Sequence, residues 1–310
     1  MRILKAEFLE KYGKYLKDSK IKVPAIQWIP LGIGISVAVL LIVLGLVLVL
    51  QLPIPIIFSA VLFIVALDLS LGYPYLMSMR RVEEIEKSFP NALKQMADTL
   101  KAGGTYEFAL RELAASEFGP LKEEVENALR KLEEGENFET ALKGIGDNVN
   151  SRLVQRTVTV IIDSVRSGAG LADVLEDIAE DLRELYRIKM DRRAMVGMQV
   201  MFIIAAGSVV APFIFGLTGA LINMLIGASS SVGGIGAEEI AKAMATKDVI
   251  LLLTQAYIFV EVLASSLMIA VMAEGRPEKS VVYLPALLFI AYISYFGSYI
   301  VIGGVFQSFG

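Results

Sequence analysis

Between Ile29 and Leu50 the only polar side chain is Ser36, and the run is long enough to cross a bilayer, which takes roughly 20 apolar residues per helix. Lipid offers no hydrogen-bond partners, so an apolar run of this kind must fold as a helix that satisfies its own backbone. A second run follows from Ile56 to about Met77, interrupted by Asp68. The two prolines of Gln51–Pro55 cannot continue a helix, so the pair reads as a tight helical hairpin. Further apolar runs cover Met195–Ile226, Val249–Ala273 and Val281–Val305. If 195–226 is one helix there are five spans; if it breaks at Pro212 there are six. The segment after Pro212 is short for a span, which favours one helix, with Pro212 as a kink. Gly227–Asp248 is small and polar and reads as a flexible loop ending in a short helix.

Between these runs the chemistry inverts. Residues 78–194 hold 18 Lys+Arg and 23 Asp+Glu, which explains how 20% charged residues coexist with a mean hydropathy of +0.61. The chain therefore divides into a basic N-terminal tail (1–28), a two-span hairpin (29–77), a charged helical domain (78–194) and a C-terminal membrane region (195–305). The tail is too polar, and its apolar run begins too late, for a cleaved signal peptide. It carries Arg2, Lys5, Lys11, Lys14, Lys17, Lys20 and Lys22. Arg80 and Arg81 follow the second span, and Arg187, Lys189, Arg192 and Arg193 precede the third; the hairpin turn has no basic residue. By the excess of Lys and Arg in cytoplasmic flanks, tail and charged domain are expected in the cytoplasm.

The charged domain repeats itself. Gly103, Gly135 and Gly168 open GGTYEFALRELA, GENFETALKGIG and GAGLADVLEDIA. The apolar positions align as Tyr106/Phe138/Leu171, Ala109/Ala141/Val174, Leu110/Leu142/Leu175 and Leu113/Ile145/Ile178, at i, i+3, i+4 and i+7, which is one face of an α-helix. Each glycine suits the left-handed position that ends a helix, and Thr105 and Asn137 can cap the next. Helices 90–102, 121–134 and 151–167 feed the repeats, with Pro90 and Pro120 at first-turn positions. The reading is an all-α chain whose cytoplasmic part is a six-helix antiparallel bundle. Duplication and ordinary hairpin recurrence both produce this spacing.

The segment from Phe89 to Ala114, FPNALKQMADTLKAGGTYEFALRELA, resembles the opening of the cytoplasmic domain of the type II secretion F / TadC family. These are platform proteins of type II secretion systems, type IV pili, Tad pili and archaella. The likeness runs on through GPLKEEVENALRKLEEGENFETALKGI and VRSGAGLADVLEDIAEDLRE, with Pro90, Gly103, Gly104, Gly135, Gly168 and Gly170 in register. Many members carry two copies of the domain. This chain has one, like the shorter Tad-type subunits that work in pairs. The resemblance implies a plasma-membrane platform without catalysis. Its expected partners are a cytoplasmic hexameric ATPase, pilin-like subunits, the lipid bilayer, and a second platform subunit or another copy of itself.

The residues exclude much else. With no cysteine and no histidine, disulfides, Cys/His zinc sites and Ser-His-Asp or Cys-His catalysis are absent. The Gly13-Lys14 pair is followed by Tyr15 and lacks the upstream glycine of a P-loop. No cofactor and no metal site is expected, and a net charge of −4 gives no reason to expect nucleic acid. Asp68 and Glu261 are acids inside spans, where each costs about 2.5–3.5 kcal/mol. They read either as an ion path, making the chain a small ion-coupled transporter, or as bundle-internal hydrogen bonding. Gly207-x-x-x-Ala211 and Gly216-x-x-x-Ala220 permit close helix approach, within the chain or between chains. Arg80, Arg81, Arg187, Arg192 and Arg193 are candidate contacts to lipid head groups or to the ATPase. The acidic turn Glu133, Glu134 and Glu136 is a candidate ATPase contact or simply solvated. Tyr283, Tyr292, Tyr295 and Tyr299 read as packing and interface anchors.

Overall fold

The computed structural model describes residues 12, 13, 15, 16, 19, 23–50, 56–167, 170–231 and 237–309. The basic side chains of the tail, the 51–55 turn and Gly168 lie outside these residues. Among them the fold is helical throughout, with no strand. The order is α1 (Ala25–Leu50), α2 (Ile56–Lys101), α3 (Tyr106–Ala115), α4 (Pro120–Glu133), α5 (Phe138–Asn148), α6 (Arg152–Arg166) and α7 (Leu171–Ile204). A π-helical turn (Ala205–Val210) leads into α8 (Ala211–Ser231); α9 (Ala237–Ile269) ends in a second π-turn (Ala270–Glu274), and α10 is Ser280–Phe309. Five helical stretches are long and apolar enough to cross a membrane: Ala25–Gly45, Ser59–Lys101, Leu171–Ala228, Ala241–Glu274 and Pro277–Gly304.

The chain forms two compact units. The first contains residues 74–191 with the described residues before Ile26, and the second contains the described residues of 26–73 and 192–310. In the first unit α3 to α6 pack with the end of α2 and the start of α7. Leu93, Met96, Leu110, Leu113, Leu121, Val125, Leu142, Ile145, Val154, Ile161, Leu175 and Ala179 form its core. The aligned repeat positions supply much of it. Tyr106 departs from the pattern, being 45% exposed, although its ring stacks at an angle on Phe138 at 5.1 Å between centroids.

The turns between these helices follow from glycine and cap chemistry. Gly103 and Gly135 have φ of +90° and +93°, left-handed values that a side chain disfavours. Thr105 accepts a hydrogen bond from the Phe108 amide, and Asn137 from the Thr140 amide. Gly104 serves differently: a Cβ there would lie 2.9 Å from the Thr99 carbonyl oxygen, so the backbone approaches too closely for any side chain. Pro120 stands at the start of α4.

Two expectations are corrected. Pro90 does not begin a helix; it lies inside α2, which runs unbroken from Ile56 to Lys101. Ile85, Phe89, Ala92, Leu93 and Met96 are all buried and keep a single helical stripe across the proline. That packing holds the helix through a residue costing about 3 kcal/mol in a helix interior. The bundle is therefore built of four short helices and the ends of two long ones. Nor are the described residues of 227–248 a loop; the short helix expected at the end is the start of a long one. α8 continues to Ser231 and α9 starts at Ala237, its first turn stabilised by Glu238 and Glu239 at the positive end of the helix dipole.

The second unit contains the apolar helices. Val61, Val65, Ile258, Val262, Leu288, Tyr292 and Tyr295 form its centre. Trp28 donates to the Ser70 carbonyl at 3.3 Å, pinning α1 to α2. The stretch after residue 195 is one helix and does not break at Pro212. A π-turn immediately precedes the proline, and a wider turn relieves the clash of its ring with the preceding carbonyls.

Candidate functional site

The small-residue motifs seat neighbouring helices of the same chain. A Cβ on Gly216 would lie 2.0 Å from Ser298 Oγ and 2.2 Å from the Tyr295 carbonyl oxygen, so α8 and α10 touch backbone to backbone there. Gly207 approaches side chains of α9, its Cβ position 2.7 Å from Ser265 Oγ and 3.9 Å from Glu261 Oε1. Ala220 is buried.

Polar clamps close this unit at two levels. At one, both Glu274 carboxylate oxygens accept from Arg193 at 2.8 Å, and Lys279 reaches Oε2 at 2.6 Å. At the other, Lys247 donates to Asn223 Oδ1 at 2.9 Å and Asn223 donates to the Tyr299 hydroxyl. Between them Tyr292 donates to the Gln255 carbonyl at 3.1 Å, and Gln255 reaches the Tyr295 hydroxyl at 3.5 Å. Tyr292 and Tyr295 are thus core residues with a polar handle. Glu274 was not foreseen from sequence; only its place in the charged turn EGRPEKS hinted at it.

Asp68 Oδ2 and Glu261 Oε2 are each buried without a hydrogen-bond partner. Gly207, Glu261 and Ser265 come together where α9 crosses the π-turn, and Ser208, next to Gly207, is buried; the hydroxyls carried no signal of their own in the sequence.

On the bundle, two of the candidate contact arginines are engaged within the chain. Arg81 bridges Glu123 and Glu124 at 2.9 Å each, with Glu124 largely buried. Arg193 is held by Glu274 as above. Neither guanidinium is offered outward, because a buried carboxylate needs a charged partner. Arg80, Arg187 and Arg192 are exposed, and so are Glu133, Glu134 and Glu136. Glu133 pairs with Arg111 at 3.0 Å. Lys94 and Lys101 both donate to Glu176, tying the end of α2 to α7. Hydrogen bonds from Lys101 first and Lys94 second hold the Glu176 carboxyl down to about 2. Beside α5 and α6 lies an open groove of about 620 Å³ lined by Glu139, Thr140, Lys143, Asp147, Thr159 and Arg166.

Apolar helices flanking a charged helical bundle define a multi-pass membrane protein. Residues 92–219 match the family model described as Type II secretion system (T2SS), protein F. The matched stretch takes in most of the bundle residues whose resemblance pointed to that family. It is also 25% identical over 181 residues to an uncharacterized protein of Methanocaldococcus jannaschii, a match covering 57% of this chain and 60% of that relative. No solved structure matches.

Proposed function

We propose that the chain is a plasma-membrane platform subunit of a type IV pilus-like, Tad-like or type II secretion-like assembly machine. In this reading it couples a cytoplasmic hexameric ATPase to the insertion or extraction of pilin-like subunits, and catalyses nothing itself. The observation that carries the reading is the protein F match over residues 92–219, which takes in most of the charged bundle and the third span. Five candidate spans around that bundle agree with it. The basic flanks favour a cytoplasmic tail and bundle. The Arg193–Glu274 contact supports the five-span arrangement, since it puts the 275–279 turn at the same end of the membrane unit as residue 193. With five spans the C-terminal end of α10 faces the other side.

Energy must then come from a partner. The exposed faces of the bundle, with Glu134, Glu136 and Arg187, are where the ATPase is expected. The apolar outer faces of the spans suit pilin-like helices and a second platform subunit. Affinity purification of the tagged chain in gentle detergent, followed by mass spectrometry, tests the reading. A secretion-type ATPase, pilin-like subunits or a second platform protein should co-purify. Recovery of the chain alone, even after crosslinking, would count against it.

A further inference from the structure

The crossing of α9 with the first π-turn holds more oxygen than its helices need. Glu261 lies 13 residues before Glu274 (274 − 261) in a span that ends there, which puts it about 20 Å along the helix from that end. That depth is within the hydrocarbon of a bilayer about 30 Å thick. Its Oε2 is buried and accepts no hydrogen bond. One turn on, Ser265 is buried against Gly207. The next residue in the π-turn, Ser208, is completely buried, and its Oγ also has no partner. The backbone adds a further oxygen. The Ala211 amide donates to the Ala206 carbonyl, so the next amide in that register would serve Gly207, and in α-helical register Ser208. That next residue is Pro212, which has no N–H to donate.

Acceptor oxygens around a carboxylate, with no cationic side chain paired to it among the described residues, are what a small monovalent cation requires. Backbone carbonyls released by an irregular helix serve cations this way within membranes. An uncompensated carboxylate at this depth is costly, and one positive charge cancels it. We propose that Glu261, Ser265 and the Gly207–Ser208 step of the π-turn bind one monovalent cation, a proton or a sodium ion.

The site is made by glycine and proline together. A Cβ at Gly207 would lie 2.7 Å from Ser265 Oγ and displace that hydroxyl, and Pro212 has no N–H to occupy the carbonyl. Arg193 and Lys279 are both held by Glu274 at the end of the unit, about 20 Å along α9 from Glu261. Of the elements packed here, α10 brings Tyr292 and Tyr295, both engaged with Gln255, and α2 brings Asp68. The inference goes beyond the platform reading and is tested on the isolated chain.

The full-length protein in lipid nanodiscs is unfolded thermally in two titrations at constant ionic strength. One raises sodium from about 1 to about 100 mM near pH 8, and the other lowers pH from about 8 to about 5 without sodium. The wild-type midpoint should rise by roughly 3 °C per tenfold in the ion that binds. Glu261→Gln should lose that response and Asp68→Asn should keep it. If sodium moves the midpoint the ion is sodium; if only acid does, it is the proton. Ser265→Ala retains the charge and serves should Glu261→Gln not fold; it should shift half-saturation by about tenfold. A Glu261→Gln protein that follows the wild type in both titrations would overturn the proposal. So would a Ser265→Ala protein with unchanged half-saturation.

Discussion

The two units solve opposite problems with the same secondary structure. In the bundle, Leu, Ile and Val face inward and the charges face out, the ordinary arrangement of a helix in water. In the membrane unit many large apolar side chains point outward as well: Met195, Met198, Met201 and Phe202 are all more than 70% exposed. Its interior collects what lipid would reject, including Ser36, Ser208, Gln255, Ser265, Ser266 and Ser298. The hydrophobic effect drives the first kind of packing, whereas close backbone approach and hydrogen bonding drive the second. The meaning of a residue therefore depends on its unit. A buried leucine anchors the bundle, and a buried glycine anchors the membrane helices.

The sharpest way to break that contrast is to exchange the two currencies. Leu175 is fully buried in the bundle, and Met198 is 81% exposed in the membrane unit. Leu175→Ala should lose about 3–4 kcal/mol of stability by urea unfolding in nanodiscs, while Met198→Ala stays within about 0.5 kcal/mol. Equal losses would mean that Met198 is covered by protein.

Glycine gives the next largest effect, with opposite signs in the two units. Gly216→Ala forces a Cβ into the Tyr295 carbonyl and Ser298 and should cost about 3 kcal/mol. Gly146, in the interior of α5, has only ordinary contacts of 3.5 Å and beyond around its Cβ position. Gly146→Ala should stabilise the bundle by about 0.5–1 kcal/mol, read from the same unfolding curves.

The smallest effect belongs to the bundle surface. The Glu176 carboxyl, depressed to about 2 by Lys101 and Lys94, contributes stability that is present above its ordinary value of 4.5. That contribution fades as pH falls toward about 2. Glu176→Gln should flatten the acid limb of a stability–pH curve, more visibly in low salt, because exposed pairs are screened. An unchanged acid limb would show that the pair does not form.

Much of the fold was legible in the sequence because its signals are local. Apolar runs marked the spans, and Gly103 and Gly135 marked turns whose left-handed φ values leave little choice of residue. Thr105 and Asn137 announced the helices they cap. The departures arise where distant packing overrules a local signal. Pro90 reads as a helix start, but the stripe from Ile85 to Met96 carries the helix through it. Gly227–Asp248 reads by polarity as a loop ending in a short helix, although the Ala, Glu and Lys from 237 onward are good helix formers that open a long one. The site around Glu261 was half legible. The acid stands out in any apolar run, whereas a π-turn has no sequence signature, so Gly207 and Ser265 could not be placed beside it. Arg81 and Arg193 looked like surface charges because the carboxylates that engage them, Glu124 and Glu274, come from other elements.

The account's central claim is that the charged bundle receives the ATPase while the spans hold the membrane partners. Site-specific photocrosslinking in native cells tests this most directly, with one probe at Glu136 in the acidic turn and another at Met198. The account predicts that the probe at 136 captures a secretion-type ATPase subunit, and that the probe at 198 captures lipid or membrane-embedded subunits but no ATPase. Capture of the ATPase from 198, or its absence from 136 and from every other exposed bundle position, would contradict it.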